Sequence, residues 1–302
     1  MSEKLVRPII QRDVNPSEIL AILEQSLVDS FNGIKHINKC SVLFSGGVDS
    51  SLAALLTQRQ CKDTLLITAR CDNSHDAKAA RKAADMMSIK LAEVRIDSES
   101  LWKDLPDIIK SINRSKRLDI EIAIPFFYAA REAKERGYET MISGQGPDEL
   151  FGGYARYERM MIEKGPEEVE KALWRDVSIT DAVNIQRDSL VMKYHGIKAI
   201  FPYLFPDFVH HALTIPATMN IAPKKKPARK LMFRQLALMM GVPEELTIEQ
   251  KRATQYSSGT SKMLFETVRD HVEELITLSR RESQLRIQEI LDGLSRQQSK
   301  VG

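Results

Sequence analysis

Ser45-Gly46-Gly47-Val48-Asp49-Ser50-Ser51 separates two apolar stretches, Ser41-Val42-Leu43-Phe44 before it and Leu52-Ala53-Ala54-Leu55-Leu56 after it. A short apolar run closed by paired glycines and followed by helix formers reads as strand, tight turn, helix. In that order the backbone N–H groups and the positive helix end face whatever lies beyond the carboxyl end of a sheet, which favours an anion. Gly46 and Gly47 let the main chain approach phosphate oxygens with no Cβ in the way, and Ser45, Ser50 and Ser51 add hydroxyl donors. Asp49 can hold a magnesium ion bridging those oxygens. The stretch is not a Walker A loop, because Gly-x-x-x-x-Gly-Lys-Ser/Thr occurs nowhere in the chain. A turn that merely joins a strand to a helix is the plainer alternative.

The flanking sequence repeats the pattern. Upstream, Asn15 as cap, Pro16 and Glu18 open a helix whose apolar face is Ile19, Ile22, Leu23 and Leu27. Downstream, Thr64–Thr68, Leu91–Ile96 and Glu139–Ile142 read as strands. Helices are expected over Asp76–Met87, with Ala80, Ala83, Ala84 and Met87 on one face, and over Glu121–Gly137. Strands alternating with helices imply an α/β fold: a parallel sheet with helices on both faces. After about Tyr154 strand signals nearly vanish, so a helical C-terminal lobe is expected. The resulting division is 1–35 as a helical lead-in, 36–155 as the α/β domain and 156–302 as the helical lobe. The proline- and lysine-rich stretch from Pro216 to Pro227 reads as a loop that is hard to pack inside. The fourth strand runs directly into a second glycine turn, Ser143-Gly144-Gln145-Gly146-Pro147-Asp148-Glu149-Leu150-Phe151-Gly152-Gly153-Tyr154.

Ser-Gly-Gly-x-Asp-Ser resembles the pyrophosphate loop of the N-type ATP pyrophosphatases, which cleave ATP between its α- and β-phosphates. The second turn resembles the Ser-Gly-x-Gly-x-Asp-Glu-Leu-Phe-Gly-Gly-Tyr block of the asparagine synthetase synthetase domain, a longer and more specific match. The resemblance extends over roughly residues 15 to 265. It implies an adenine nucleotide α-hydrolase topology and an AMP-forming amide ligase that adenylates a carboxylate, aspartate first, and amidates it with ammonia. ATP and Mg2+ would be the cofactors. Phe44 and Ala69 would contact adenine, Ser143 and Gly144 would lie against the adenosine, and Gln145 would stand beside them. Asp148 would face Asp49 as a second magnesium-directing carboxylate. Lys251, in Gln250-Lys251, matches the lysine that neutralises the departing pyrophosphate; Lys230 and Arg234 match a further Lys…Leu-Arg pair.

Three departures qualify the match. Residue 2 is Ser2 and only 44 residues precede the first turn, so ammonia is expected free or from a separate glutaminase subunit. Gln145 stands where the family has Glu, which weakens a role as base. In Lys198-Ala199-Ile200-Phe201-Pro202-Tyr203-Leu204-Phe205 the family's Glu, Arg and Asp are replaced by Lys198, Ile200 and Phe205, so the acceptor carboxylate is open.

Composition sets the outer limits. The 302 residues, 43% hydrophobic and 28% charged, exclude disorder, collagen and a small disulfide scaffold. The net charge of +3 does not favour nucleic acid as the main partner, although Lys224-Lys225-Lys226 with Arg229 and Lys230 keeps a tRNA-modifying enzyme as a rival. A non-catalytic nucleotide-binding relative is the other rival. Three cysteines and the lack of a signal peptide or an apolar span point to a cytoplasmic protein without a membrane partner. His210-His211 read as helix-surface residues, and the Met86-Met87 and Met239-Met240 pairs as core filler.

Overall fold

The computed structural model describes residues 7–71, 75–248 and 259–298. Five strands form one sheet in the order β3-β2-β1-β4-β5, every neighbouring pair parallel. They are β1 (Lys39–Leu43), β2 (Asp63–Cys71), β3 (Leu91–Ile96), β4 (Thr140–Ser143) and β5 (Lys198–Ile200). Successive side chains of a strand point to opposite faces, and here each face has its own apolar core. Val42, Leu66 and Ile142 join one core; Ile67, Ala69 and Met141 join the other. The sheet is therefore covered on both sides, as an all-parallel sheet requires.

Helices α1 (Pro16–Asn32), α2 (Val48–Gln60) and α3 (His75–Met87) serve the first core, and α4 (Ser98–Ile112) and α5 (Arg117–Glu135) the second. Helix α1 begins as expected: the Asn15 side chain accepts from Ser17 N at 3.0 Å, and Pro16 occupies the first turn, where its missing N–H costs nothing. Ile19, Leu23, Leu27 and Phe31 are buried along one stripe. Burial of each large apolar side chain on such a stripe stabilises the fold by about 1.5–3 kcal/mol. Ile22 departs from the expected face. It is 47% exposed, because a residue adjacent to Leu23 is rotated about 100° off the stripe.

The chain beyond Tyr154 builds onto the same two cores. Tyr157, Leu173, Phe208 and Phe233 enter the first, and Val191, Leu264, Val268 and Ile287 the second. This part of the chain follows the short α6 (Pro147–Leu150), which lies within the second glycine turn, and its own α-helices are α7 (Ala155–Lys164), α8 (Pro166–Thr180), α9 (Gln186–Tyr194), α10 (Pro206–Leu213), α11 (Ala217–Asn220), α12 (Leu231–Met239), α13 (Glu244–Ile248), α14 (Thr260–His271), α15 (Glu273–Ile276) and α16 (Arg280–Gln298). It also supplies β5, which pairs Lys198 with Thr140 and Ile200 with Ile142. Three residues are too few to write a two-residue period, so this strand left almost no signal in the sequence.

Two expectations are corrected. The start of the Pro216–Pro227 stretch is largely interior: Ala217 and Asn220 are fully buried and Ile221 nearly so, with Thr218 and the lysine segment exposed. Of each methionine pair only the second residue is buried; Met86 and Met239 are exposed, since consecutive helix positions cannot share a face.

Candidate active site

From β1 the chain proceeds through β2 and β3 to one side of the sheet, whereas β4 and β5 lie on the other. The order thus reverses between β1 and β4, and the crevice at that switch point opens at the carboxyl ends of both strands. Leu43 pairs with Ser143 as the last residues of the two strands, so both glycine turns leave the sheet side by side.

The turns touch. A Cβ on Gly144 would stand 3.0 Å from Ser50 N and 3.1 Å from the Asp49 carbonyl oxygen, so the second turn presses on the first through a position that only glycine fills without displacement. Gly46 adopts φ +79°, and a Cβ there would lie 2.5 Å from the backbone of Ala79, which brings α3 against the first turn. Within that turn Ser50 Oγ donates to the Gly47 carbonyl at 3.1 Å and lies 3.2 Å from Ser45 Oγ. Ser51 is fully buried one position on. Phe44 directly follows β1 and Ala69 lies two residues before the end of β2, both buried, with Phe44 N donating to Ile67 O at 2.9 Å.

Sequence expectation paired Asp49 with Asp148, and the fold brings them together around a third group. Lys230 Nζ lies 2.6 Å from both Asp49 oxygens and 2.8 Å from Asp148 Oδ1. All three residues are buried, Lys230 to within 2% of complete. Gly153 closes over them: a Cβ there would overlap Asp148 Oδ1 and come to 2.5 Å from Lys230 Cε. Burying such charges is tolerable only with partners, and removing one partner of a buried pair costs about 3–5 kcal/mol. Lys230 caps α12 at φ 57°, and Arg234 N donates to its carbonyl at 2.9 Å, so the Lys230–Arg234 spacing seen in the sequence does bring the two residues together. What spacing alone did not give was that Lys230 reaches back to the first glycine turn.

Two carboxylates converging on one ammonium are hard oxygen donors aimed at a single point, as magnesium needs when phosphates complete its shell. Among the described residues no cluster of three or more His, Cys, Asp or Glu side chains could hold a metal ion.

The remaining contacts surround this centre. Tyr203, buried after β5, donates from its hydroxyl to the Asp49 carbonyl at 2.8 Å; burial and the nearby Asp49 charge hold the phenol protonated. Glu149 accepts from the Tyr154 hydroxyl at 2.7 Å. Gln145 donates from Nε2 to Asp188 at 3.3 Å, and Asp188 is in turn held by Arg187 at 2.7 Å. Complete burial pushes the Asp188 carboxyl up to about 6 against the pull of Arg187. Tyr203, Arg187 and Asp188 were missed by sequence reasoning, because they come from segments after Tyr154 whose only signal was resemblance. Lys198 and Phe205 are exposed, while Ile200 packs half-buried against the first core, so the replaced charges leave an apolar strand end there. Lys251 lies outside the described residues.

No helix among the described residues is long and apolar enough to cross a membrane. A solved structure, NMN synthetase from Francisella tularensis, aligns over 95% of this chain and 92% of its own with 16% identity and a TM-score of 0.40. A protein of Methanocaldococcus jannaschii that carries the name asparagine synthetase (glutamine-hydrolyzing) 1 is 31% identical over 304 residues, 91% of this chain and 54% of that protein. The asparagine synthetase domain-containing protein YML096W of Saccharomyces cerevisiae is 26% identical over 81% of this chain and 53% of its own length. This chain thus spans about half the length of these relatives. The family description "Asparagine synthase" matches residues 24–167 and 162–300, a span that takes in both touching turns, Lys230 and the strand end at 198–200. With the carboxylate pair and both glycine turns inside that match, the chain belongs to the asparagine synthase family.

Proposed function

We propose that this chain is an ATP-dependent, AMP-forming amide ligase. The observation that carries the reading is the contact between the two glycine turns, with Asp49, Asp148 and Lys230 gathered where they meet. A triphosphate laid along the Ser45–Ser51 turn would meet backbone N–H groups, the Ser45 and Ser50 hydroxyls and the start of α2, with its adenosine toward Phe44, Ala69, Ser143 and Gly144. Asp49 and Asp148 would hold the magnesium ion, which supplies charge neutralisation on the phosphate oxygens when bound.

An oxygen of the acceptor carboxylate attacks the α-phosphorus, the bond to the β-phosphate oxygen breaks, and pyrophosphate leaves with the electron pair. Ammonia nitrogen then attacks the acyl carbon, AMP departs with the C–O pair, and a proton is lost to give the amide. Lys230 and Lys251 are the candidate cations for the charge that builds on pyrophosphate; a preorganised donor of that kind contributes on the order of 3 kcal/mol. Gln145, tied to Asp188 through its amide nitrogen, serves as a positioning group near the acceptor rather than as a base. Aspartate is the first acceptor to try, with ammonia either free or delivered by a separate glutaminase subunit.

The test is a turnover assay with ATP, magnesium, ammonium and a panel of carboxylates labelled with 18O. Transfer of one label into AMP together with an amide product is the expected outcome. AMP without label, or ADP in place of AMP, overturns the reading.

A further inference from the structure

The 223–230 segment, together with Gly153, Glu158 and Arg234, lines a cavity of about 180 Å3. A single water needs only about 10–15 Å3 of such space, so the cavity has room for a polyatomic ligand. Its charged lining is Lys225, Lys226, Arg229, Lys230 and Arg234 against one acid, Glu158. Glu158 is already engaged by Arg229 at 3.4 Å. Arg229 also donates to the Gly153 carbonyl at 3.0 Å, which fixes its guanidinium against the wall. Lys225 and Lys226 are exposed and form no ion pair among the described residues. The segment is not a loose surface loop: Ala222 N donates to Ala228 O at 2.8 Å and Lys225 N to Ala222 O at 2.9 Å, closing it on itself.

Lys230 is shared between the cavity wall and the Asp49–Asp148 cluster, while Lys225 and Lys226 line the cavity from exposed positions. With the Lys230 ammonium held by Asp49 and Asp148, the charge left for a ligand comes from Lys225, Lys226, Arg229 and Arg234, several cations spread along one wall, which suits an extended polyanion better than a single small charge. We infer that this basic cavity is a second diphosphate-binding site, separate from the Ser45–Ser51 turn, which receives pyrophosphate after the α–β bond has broken and conducts it out past Lys225 and Lys226. The identification of the ligand with the leaving group rests on the proposed ligase reaction; the affinity for a diphosphate does not.

The probe is methylenediphosphonate, which cannot be hydrolysed, titrated calorimetrically into the full chain with magnesium and saturating AMP. The wild-type protein is expected to bind it, and the Lys225→Ala/Lys226→Ala double variant about tenfold more weakly, a loss of about 1.4 kcal/mol. Lys225→Arg/Lys226→Arg should keep the affinity within about twofold, since charge rather than loop structure is what matters. In turnover, the alanine variant should need about tenfold more pyrophosphate for product inhibition. Equal diphosphonate affinity in wild type and the alanine variant overturns the site. Tight, lysine-dependent diphosphonate binding in a chain that forms no AMP supports the site and removes the ligase reading, so the two failures are distinguishable.

Discussion

Lys230 sets its ammonium against both Asp49 and Asp148. In Lys230→Met the stem length is kept and the side chain still reaches Phe233, whose ring lies 5.6 Å from the native ammonium. The two buried carboxylates lose their shared cation, and stability should fall by about 3–5 kcal/mol. Magnesium offers a replacement charge at the same point. Millimolar MgCl2 is therefore expected to raise the melting temperature of Lys230→Met clearly more than that of the wild type. Equal shifts in differential scanning calorimetry would show that magnesium does not replace the lost ammonium between the two carboxylates.

At the level of single elements, α9 links the site to the rest of the molecule. It begins with Gln186, Arg187 and Asp188, the last touching Gln145, and ends at His195, whose ring meets Phe127 edge-on at 4.3 Å. Burial, with Arg131 nearby, lowers the His195 pKa from 6.5 to about 4. The folded protein therefore keeps a neutral ring where the unfolded chain would bind a proton. The stability this gives is whole above pH 6.5 and is lost as pH falls from 6.5 to 4. Asp188 acts in the opposite sense: raised from 3.8 to about 6, it favours the folded state most below pH 3.8 and loses that contribution as pH rises through 6. Between pH 4 and 6 the two offset each other. His195→Gln removes one side of the balance, so its stability should decline from pH 4 to 6 relative to wild type, by on the order of 1–2 kcal/mol given the partial exposure of the ring. Urea unfolding at four pH values across that range checks it; parallel curves for the two proteins would reject the assignment.

Across the whole molecule, legibility followed sequence distance. The strands β1 to β4 and the two turns were readable because strand, glycine turn and helix occur within about a dozen residues of one another, where periodicity and φ > 0 preferences act directly. Lys230, Tyr203 and Asp188 were not assigned their places, because Lys230 meets a carboxylate 181 residues earlier, and no local pattern encodes such a contact. Ile22, Met86 and Met239 were misplaced for the opposite reason: apolar character was taken for burial without following the helical phase. The long-range contacts also mean that a ligand in the crevice would tie together β1, β4, the segment after β5 and α12, so its binding energy should appear as stability of the entire fold. At a concentration one hundred times its dissociation constant, MgATP should add about 2.7 kcal/mol, on the order of 5 °C in melting temperature for a chain of this size. Gly144→Ala puts a methyl group against Ser50 N and the Asp49 carbonyl, which forces the turns apart by a few tenths of an ångström while leaving both cores intact. That variant should melt within a few degrees of wild type without ligand yet lose most of the MgATP shift. A full shift in Gly144→Ala would mean that the nucleotide does not lie between the two turns.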